Sequence, residues 1–291
     1  MEQETFEFYD LRRKTLSENI DLLFPDWQRR EERVAILSPH DDDGVLGAGY
    51  VTLASIANGA DVYLFIFCDG RGGYSQESQK DTIVELRRRE TLEAYNLLGL
   101  REENIVRFDF PDFSLGQYTY WLLPSGGEGA MPQVIQRLRE LKITRLLIPN
   151  GYREHLDHEA ASKTGFYGAP TAGDAVLVDR GEPWRIKSYL VYSVWGDFSP
   201  EDALVHGEAN CPRANRAIKA SFAVEKRIRE ALDKFASQGE IIKDLVALRK
   251  PREREESSIE VYLDVDPRPP LNYGPYWDFL AEIWGGCRRR T

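Results

Sequence analysis

The sequence predicts an α/β protein: a three-layer, Rossmann-like core with a mainly parallel sheet, extended at its C-terminus. Three observations carry this. From residue 33 onward, apolar runs of strand length alternate with helical patterns, the signature of βαβ units. At 291 residues the chain can build a sizeable core. Two clusters of His and Asp directly follow two of the strand-like runs, where an open parallel sheet gathers its ligands.

Residues 1–32 are acidic and aromatic, with Phe6, Phe8, Tyr9, Leu22, Leu23, Phe24 and Trp27, and read as an arm or helix packing on the main body. The runs at 34–37, 62–67, 105–108 and 146–148 are expected strands, and the patterns at 45–57, 82–98 and 134–141 are expected helices. Asp43-Gly44 before Val45, and Asp157 before Ala160-Ala161, supply helix-capping chemistry. Further on, 186–194 suggests a strand, 215–235 a long amphipathic helix, 241–248 a short helix and 259–264 a late strand. The tail 267–291, rich in Pro, Tyr, Trp and Gly, has loop chemistry with aromatic anchors. The expected organisation is an arm at 1–32, a main unit at 33–250, and a strand with aromatic tail at 251–291 in the same domain.

The formal charge of −10 argues against a nucleic-acid partner, since binding phosphate backbones relies on Lys and Arg. A small-molecule substrate fits better. No apolar stretch reaches the roughly 18 residues that span a bilayer, and the start lacks the basic and apolar regions of a signal peptide. The cytoplasm is the expected location, and a homo-oligomer is compatible with the sequence. Cys68, Cys211 and Cys287 are far apart and odd in number, so they read as ordinary thiols.

The chemistry concentrates in His40-Asp41-Asp42-Asp43 and His155-Leu156-Asp157-His158. Carboxylates that crowded at the end of a buried strand call for positive charge among them, usually a metal ion. In the usual 3-2-1-4-5 strand order the first and fourth strands flank the reversal point, which would bring the two clusters together. A catalytic zinc takes three protein ligands and keeps one position open. His40 and Asp43 can present side chains to one point and His158 can complete the trio, leaving Asp42 and His155 beside it. Such parts suit hydrolysis of an amide or ester.

These residues resemble the zinc-dependent de-N-acetylases grouped as PIG-L or LmbE-like proteins. Against the family's first motif, His-Pro-Asp-Asp-Glu followed by Leu-Gly, this chain reads His40-Asp41-Asp42-Asp43-Gly44-Val45-Leu46-Gly47. Its second, His-x-Asp-His, is met by His155-Leu156-Asp157-His158. Asp69-Gly70, Arg87-Arg88-Arg89-Glu90, Leu98-Gly99, Pro111-Asp112, Lys226, Ala231-Leu232 and Ser237-Gln238 follow in the family's order, so the resemblance runs over about 33–238. It implies one zinc held by His40, Asp43 and His158, Asp42 as general base, and His155 as a cationic acid or oxyanion stabiliser oriented by Asp157. It further implies Arg87 and Asp112 as contacts to sugar hydroxyls, and an N-acetylated sugar, of N-acetylglucosamine type, or a glycoconjugate as substrate. Asp41 stands where the family has Pro and Gly44 where it has Glu.

Simpler readings apply to several of these residues. Asp41 reads as a solvated or helix-N-terminal carboxylate, the Arg87-Arg88-Arg89 run as a solvated helix face unless Arg87 clamps the sugar, and Asp69-Gly70-Arg71-Gly72-Gly73 as a flexible rim loop. Most residues of the aromatic runs 118–121 and 273–277 are expected in the core, and His206 at the surface. Two rival functions stay open: a metallophosphoesterase, which commonly uses two metals about 3.5–4 Å apart, and a degenerate sugar-binding protein that keeps the metal without turnover.

Overall fold

The computed structural model describes residues 3–196, 198 and 213–287. Five parallel strands form the half of the sheet that carries the two clusters: β3 (Arg33–Ser38), β4 (Asp61–Cys68), β5 (Ile105–Phe110), β6 (Arg145–Pro149) and β7 (Ser188–Tyr192). Their order is β7-β6-β3-β4-β5, so strand order reverses between β3 and β6, as the motif placement requires. β3 and β6 are apolar almost throughout, as parallel strands buried on both faces must be.

Helices cover both faces. On one lie α1 (Asp43–Ala57), α2 (Ile83–Leu98), α5 (Phe222–Leu232) and α6 (Gly239–Arg249), which share a core with Ile36, Leu64 and Leu147. On the other lie α3 (Ala130–Glu140) and α4 (Leu156–Lys163), packed against Leu37, Phe65 and Ile148. α1 is buried along nearly its whole length, which explains why no charged residue follows Asp43 in it. α2 stops where Gly99 takes a left-handed conformation, φ 92°, and Leu100 returns its N–H to Tyr95.

The other half of the sheet is antiparallel. β10 (Ser257–Val265) pairs with β7, β8 (Arg216–Ser221) with β10, β1 (Phe6–Asp10) with β8 and β2 (Thr15–Ser17) with β1, while the short β9 (Glu253–Arg254) pairs with β10. Three expectations change here. The N-terminal arm enters the sheet as a hairpin, with Phe8 and Phe24 buried. The single helix expected over 215–235 divides at Ser221 into β8 and α5, because pairing with β1 and β10 on both sides overrides the helical propensity of its Ala- and Lys-bearing sequence. The tail is not a loop but contains α7 (Gly274–Cys287), with Pro275 in its first turn.

The aromatic runs are also mostly outside the core. Tyr120, Trp121, Tyr273, Tyr276 and Trp277 are exposed, and Tyr118, against Phe110, is half-buried. Cys68 is buried, and burial pushes its thiol up to about 12, so it is an inert thiol. His206, Cys211 and the side chain of Cys287 lie outside the described residues. None of the described helices is long and apolar enough to cross a membrane.

Candidate active site

The two clusters meet at the carboxyl ends of β3 and β6. After β3 the chain turns sharply: Ser38 Oγ donates to the carbonyl of His40 (2.6 Å) and accepts the N–H of Gly44 (3.1 Å), and Asp43 Oδ2 accepts the N–H of His40 (2.8 Å). Asp43 is therefore the first residue of α1 rather than its cap, its carboxylate turned back toward the strand end. After β6, His155 is the cap of α4 and accepts the Asp157 N–H on Nδ1 (3.3 Å). Asp157, expected to cap, lies in the first turn and reaches the β5 side, where it accepts the N–H groups of Phe113 (2.7 Å) and Leu115 (3.0 Å).

One ligand atom each from His40, Asp43 and His158 lie within 4.8 Å of one another. Two other sets, His40–His155–Asp157 and His40–Cys68–Asp112, meet the same limit and share His40. The first set fits a metal best. His158 is fully buried, and its Nε2 has no hydrogen-bond partner although it lies 3.1 Å from Asp43 Oδ2. An orphaned buried nitrogen aimed at a carboxylate wants a cation between them. The local field agrees. Burial opposes charge on His40, yet Asp157 and Asp43 hold its pKa well above the usual range. His158, buried but facing Asp43, is held up at about 9, while Asp43 lies well below the carboxylate range because His158 and His40 outweigh its burial. The site attracts positive charge to the point the three side chains share.

Glu154, which the motifs do not single out, completes the support. Its Oε2 is 2.5 Å from His158 Nδ1, while Oε1 accepts from Ser193 Oγ (2.6 Å) and the N–H of Val194 (3.0 Å). A carboxylate on the far nitrogen fixes a ligating imidazole's tautomer and orientation. The only signal in the sequence is its position next to the second motif. Phe113 is held in a left-handed conformation, φ 59°, with its ring 4.7 Å edge-on to that of His155.

Asp42 sits apart from the trio. Burial and the nearby Asp43 raise its pKa above the ordinary carboxylate value, although Arg87 pulls the other way. Asp41 corrects the sequence reading, being fully buried rather than solvated. It binds Arg87 Nε (3.1 Å), Thr91 Oγ1 (2.6 Å) and Arg107. Arg87 is no solvated helix residue either: buried in α2, it bridges Asp41 and Asp42, at 3.3 Å from the latter. Where the family has Glu, Gly44 is required, since a Cβ there would stand 2.6 Å from Tyr95 Oη and 2.9 Å from Leu64.

Asp112 organises the loop expected to be flexible, accepting the N–H groups of Gly70 (3.0 Å) and Gly72 (2.8 Å). Two matched segments far apart in sequence also meet, as Glu90 accepts the N–H (2.8 Å) and Oγ (2.6 Å) of Ser237, and Gln238 donates to the Gly73 carbonyl. His40, Asp42, Asp43, Arg87, Asp112 and His155 all line one cleft of about 400 Å³, within the range of small-molecule sites.

Residues 35–166 match the family model PIG-L, described as GlcNAc-PI de-N-acetylase. That stretch is PIG-L-like. Among solved structures, the conserved protein TT1542 from Thermus thermophilus is 22% identical, with a TM-score of 0.59 over 82% of this chain and 97% of its own. N,N'-diacetylchitobiose deacetylase from Pyrococcus horikoshii, complexed with an inhibitor, is 17% identical, with a TM-score of 0.63 over 85% and 90%. GalB, the 4-carboxy-2-hydroxymuconate hydratase of Pseudomonas putida, is 15% identical, with a TM-score of 0.56 over 83% and 99%. No curated protein matches the sequence. These likenesses establish the fold; because a hydratase shares it, the reaction has to be argued from the site.

Proposed function

We propose that this PIG-L-like protein is a zinc-dependent hydrolase that removes the acetyl group from an N-acetylated sugar or glycoconjugate. The observation that carries the proposal is the convergence of His40, Asp43 and His158 from two strand ends, with an unligated Asp42 beside them in the cleft. The PIG-L match supports de-N-acetylation.

In this reading His40, Asp43 and His158 hold one zinc ion, and Glu154 orients His158. The ion supplies Lewis acidity toward water and the amide carbonyl. Asp42, with its raised pKa, takes the proton of the attacking water and returns it to the leaving amine nitrogen. His155 hydrogen-bonds the oxygen on which negative charge develops. The sequence suggested a cationic imidazole, but burial and the neighbouring His40 lower its pKa, against the pull of Asp157. A neutral ring suffices: with Nδ1 accepting from Asp157, its proton resides on Nε2, free to donate. Asp157 positions that ring, and Asp112 and Arg87 face the sugar from the cleft wall.

Acetate release from N-acetylglucosamine derivatives by zinc-loaded protein tests the proposal. Stoichiometric acetate that disappears on chelation and returns with zinc supports it. Release of phosphate from phosphate esters, with two metals per chain and no acetate, would replace it with the phosphoesterase reading.

A further inference from the structure

The cleft has two unlike sides. One carries the charged groups described above. The other is apolar, made by Leu46 of α1, Ile241 and Leu245 of α6 and Trp195 after β7, while Phe113, also apolar and exposed, stands beside His155 among the charged groups. Leu46 and Leu245 are buried members of the core. Ile241 and Trp195 are not, being 47% and 48% exposed. On α6 the core-facing residues are Ile242, Leu245 and Arg249, so Ile241 lies on the flank of that stripe and packing the helix does not require it to be apolar. The wall is nevertheless tied to the polar side, because Gln238 at the start of α6 donates to Gly73.

The two sides also differ in origin. Every charged cleft residue lies within the PIG-L match at 35–166, whereas Trp195, Ile241 and Leu245 lie outside it. The charged groups and most of the apolar wall are thus contributed by different stretches of the chain. Against Ile241 and Leu245 the hydroxyls of a second sugar ring would lose water without gaining partners.

We propose that this wall is an aglycone subsite, and that the substrate is an N-acetylated sugar bearing an apolar alkyl or aryl substituent that packs on Ile241, Leu245 and Trp195. The proposal rests on the deacetylase reading for the sugar and on the wall alone for the substituent.

The test compares three compounds with the same reacting amide: N-acetylglucosamine, N,N'-diacetylchitobiose, and hexyl N-acetyl-β-glucosaminide below its micelle-forming concentration. Burying part of a six-carbon chain should raise kcat/KM for the hexyl glycoside about 30-fold over the free sugar, mostly through KM. In Ile241→Gln the ratio of the two kcat/KM values should fall several-fold, and in Ile241→Leu it should persist. Equal kcat/KM for the hexyl glycoside and the free sugar, preference for the disaccharide, or an unchanged ratio in Ile241→Gln would overturn the subsite. Failure to release acetate from any of the three would sink the deacetylase reading instead. Calorimetry would then decide the wall separately: tighter binding of the hexyl glycoside than of N-acetylglucosamine, weakened in Ile241→Gln, supports it, and equal binding overturns it.

Discussion

α1 carries two buried ionic clusters, one at its first turn and one about two turns later, and they are built on opposite terms. In the second, Arg249 donates to Glu225 (3.1 and 2.7 Å), to Glu260 (2.9 Å) and to the carbonyl of Leu46 (2.8 Å), beneath the ring of Tyr50. Tyr50 Oη donates to Glu225 and Tyr262 Oη to Glu260, both at 2.5 Å. Against their burial, these contacts raise the pKa of Arg249 and lower that of Glu225, so each group is held in its ordinary charged state. At the first turn, by contrast, neighbouring Asp42 and Asp43 are driven apart in pKa and His158 Nε2 is left without a partner. Burying charge is therefore not what marks the candidate site. What marks it is charge left short of partners, and carboxylates pushed in opposite directions.

The sharpest way to break this comparison is to remove one side chain from each cluster. His158→Ala should lose most of its zinc and essentially all deacetylation while remaining folded, as read by metal analysis, acetate release and circular dichroism. Arg249→Met should do the reverse. It takes from Glu260 its buried counter-ion and leaves Glu225 only the partly exposed Arg229, and should cost about 3–5 kcal/mol in denaturant unfolding, with zinc content and kcat per folded molecule retained. If Arg249→Met lost zinc with its fold intact, the two clusters would have to be treated as one site.

Asp42→Asn comes next, with an expected drop on the order of 10²–10⁴-fold in kcat at full zinc occupancy. Because the folded-state pKa of Asp42 is raised, the base is lost as pH falls through that raised value. The acid limb of the rate should then lie at higher pH than the ordinary carboxylate value of 3.8. An acid limb at or below that value would move the role to another group. Glu154→Gln, which keeps the side chain's shape but weakens the grip on His158, should cost about 10–100-fold in zinc affinity, measured by competition with a chelator. An unchanged affinity would show that His158 needs no orienting carboxylate.

The same contrast explains what the sequence could show. The convergence of His40, Asp43 and His158 was legible because each follows an apolar run whose strand places it at the reversal point, a local pattern joined to one topological rule. The Arg249 cluster was not, because its meaning depends on partners 11 and 24 residues away and on a carbonyl 203 residues away. β8 was hidden for the same reason: its partner β1 lies some 200 residues upstream, and nothing within 216–221 distinguishes a strand from a helix start. Glu154 was overlooked although it adjoins a motif, since its two oxygens serve His158 on one side and the turn after β7 on the other. Local chemistry was readable, while the acceptors that complete it were not.

Asp41 gives the smallest expected effect and the finest test of the comparison, because it belongs by position to the site and by satisfaction to the structural kind. Were Asp41 the solvated carboxylate that the sequence suggests, Asp41→Asn would be nearly silent. The structure excludes this, since the carboxylate is the buried counter-ion of Arg87 and Arg107 and also accepts from Thr91. Asparagine preserves the shape but halves the acceptor capacity and leaves both guanidiniums undercompensated, which should destabilise the protein by about 1–3 kcal/mol at neutral pH. Burial would raise the Asp41 pKa, but the two arginines and Thr91 hold it below the ordinary 3.8. A group whose folded-state pKa is depressed contributes stability above its unfolded value and loses it as pH falls through the folded one. The gap between wild type and Asp41→Asn should therefore be full at pH 7 and close below the ordinary carboxylate range, where the wild-type group is also neutral. Urea midpoints of the two proteins at pH 7 and pH 3 read this directly, and zinc content at pH 7 should be unchanged. A gap that persists undiminished at pH 3 would mean that asparagine disturbs packing rather than charge, and a loss of zinc would place Asp41 with the first cluster in function as well as in position.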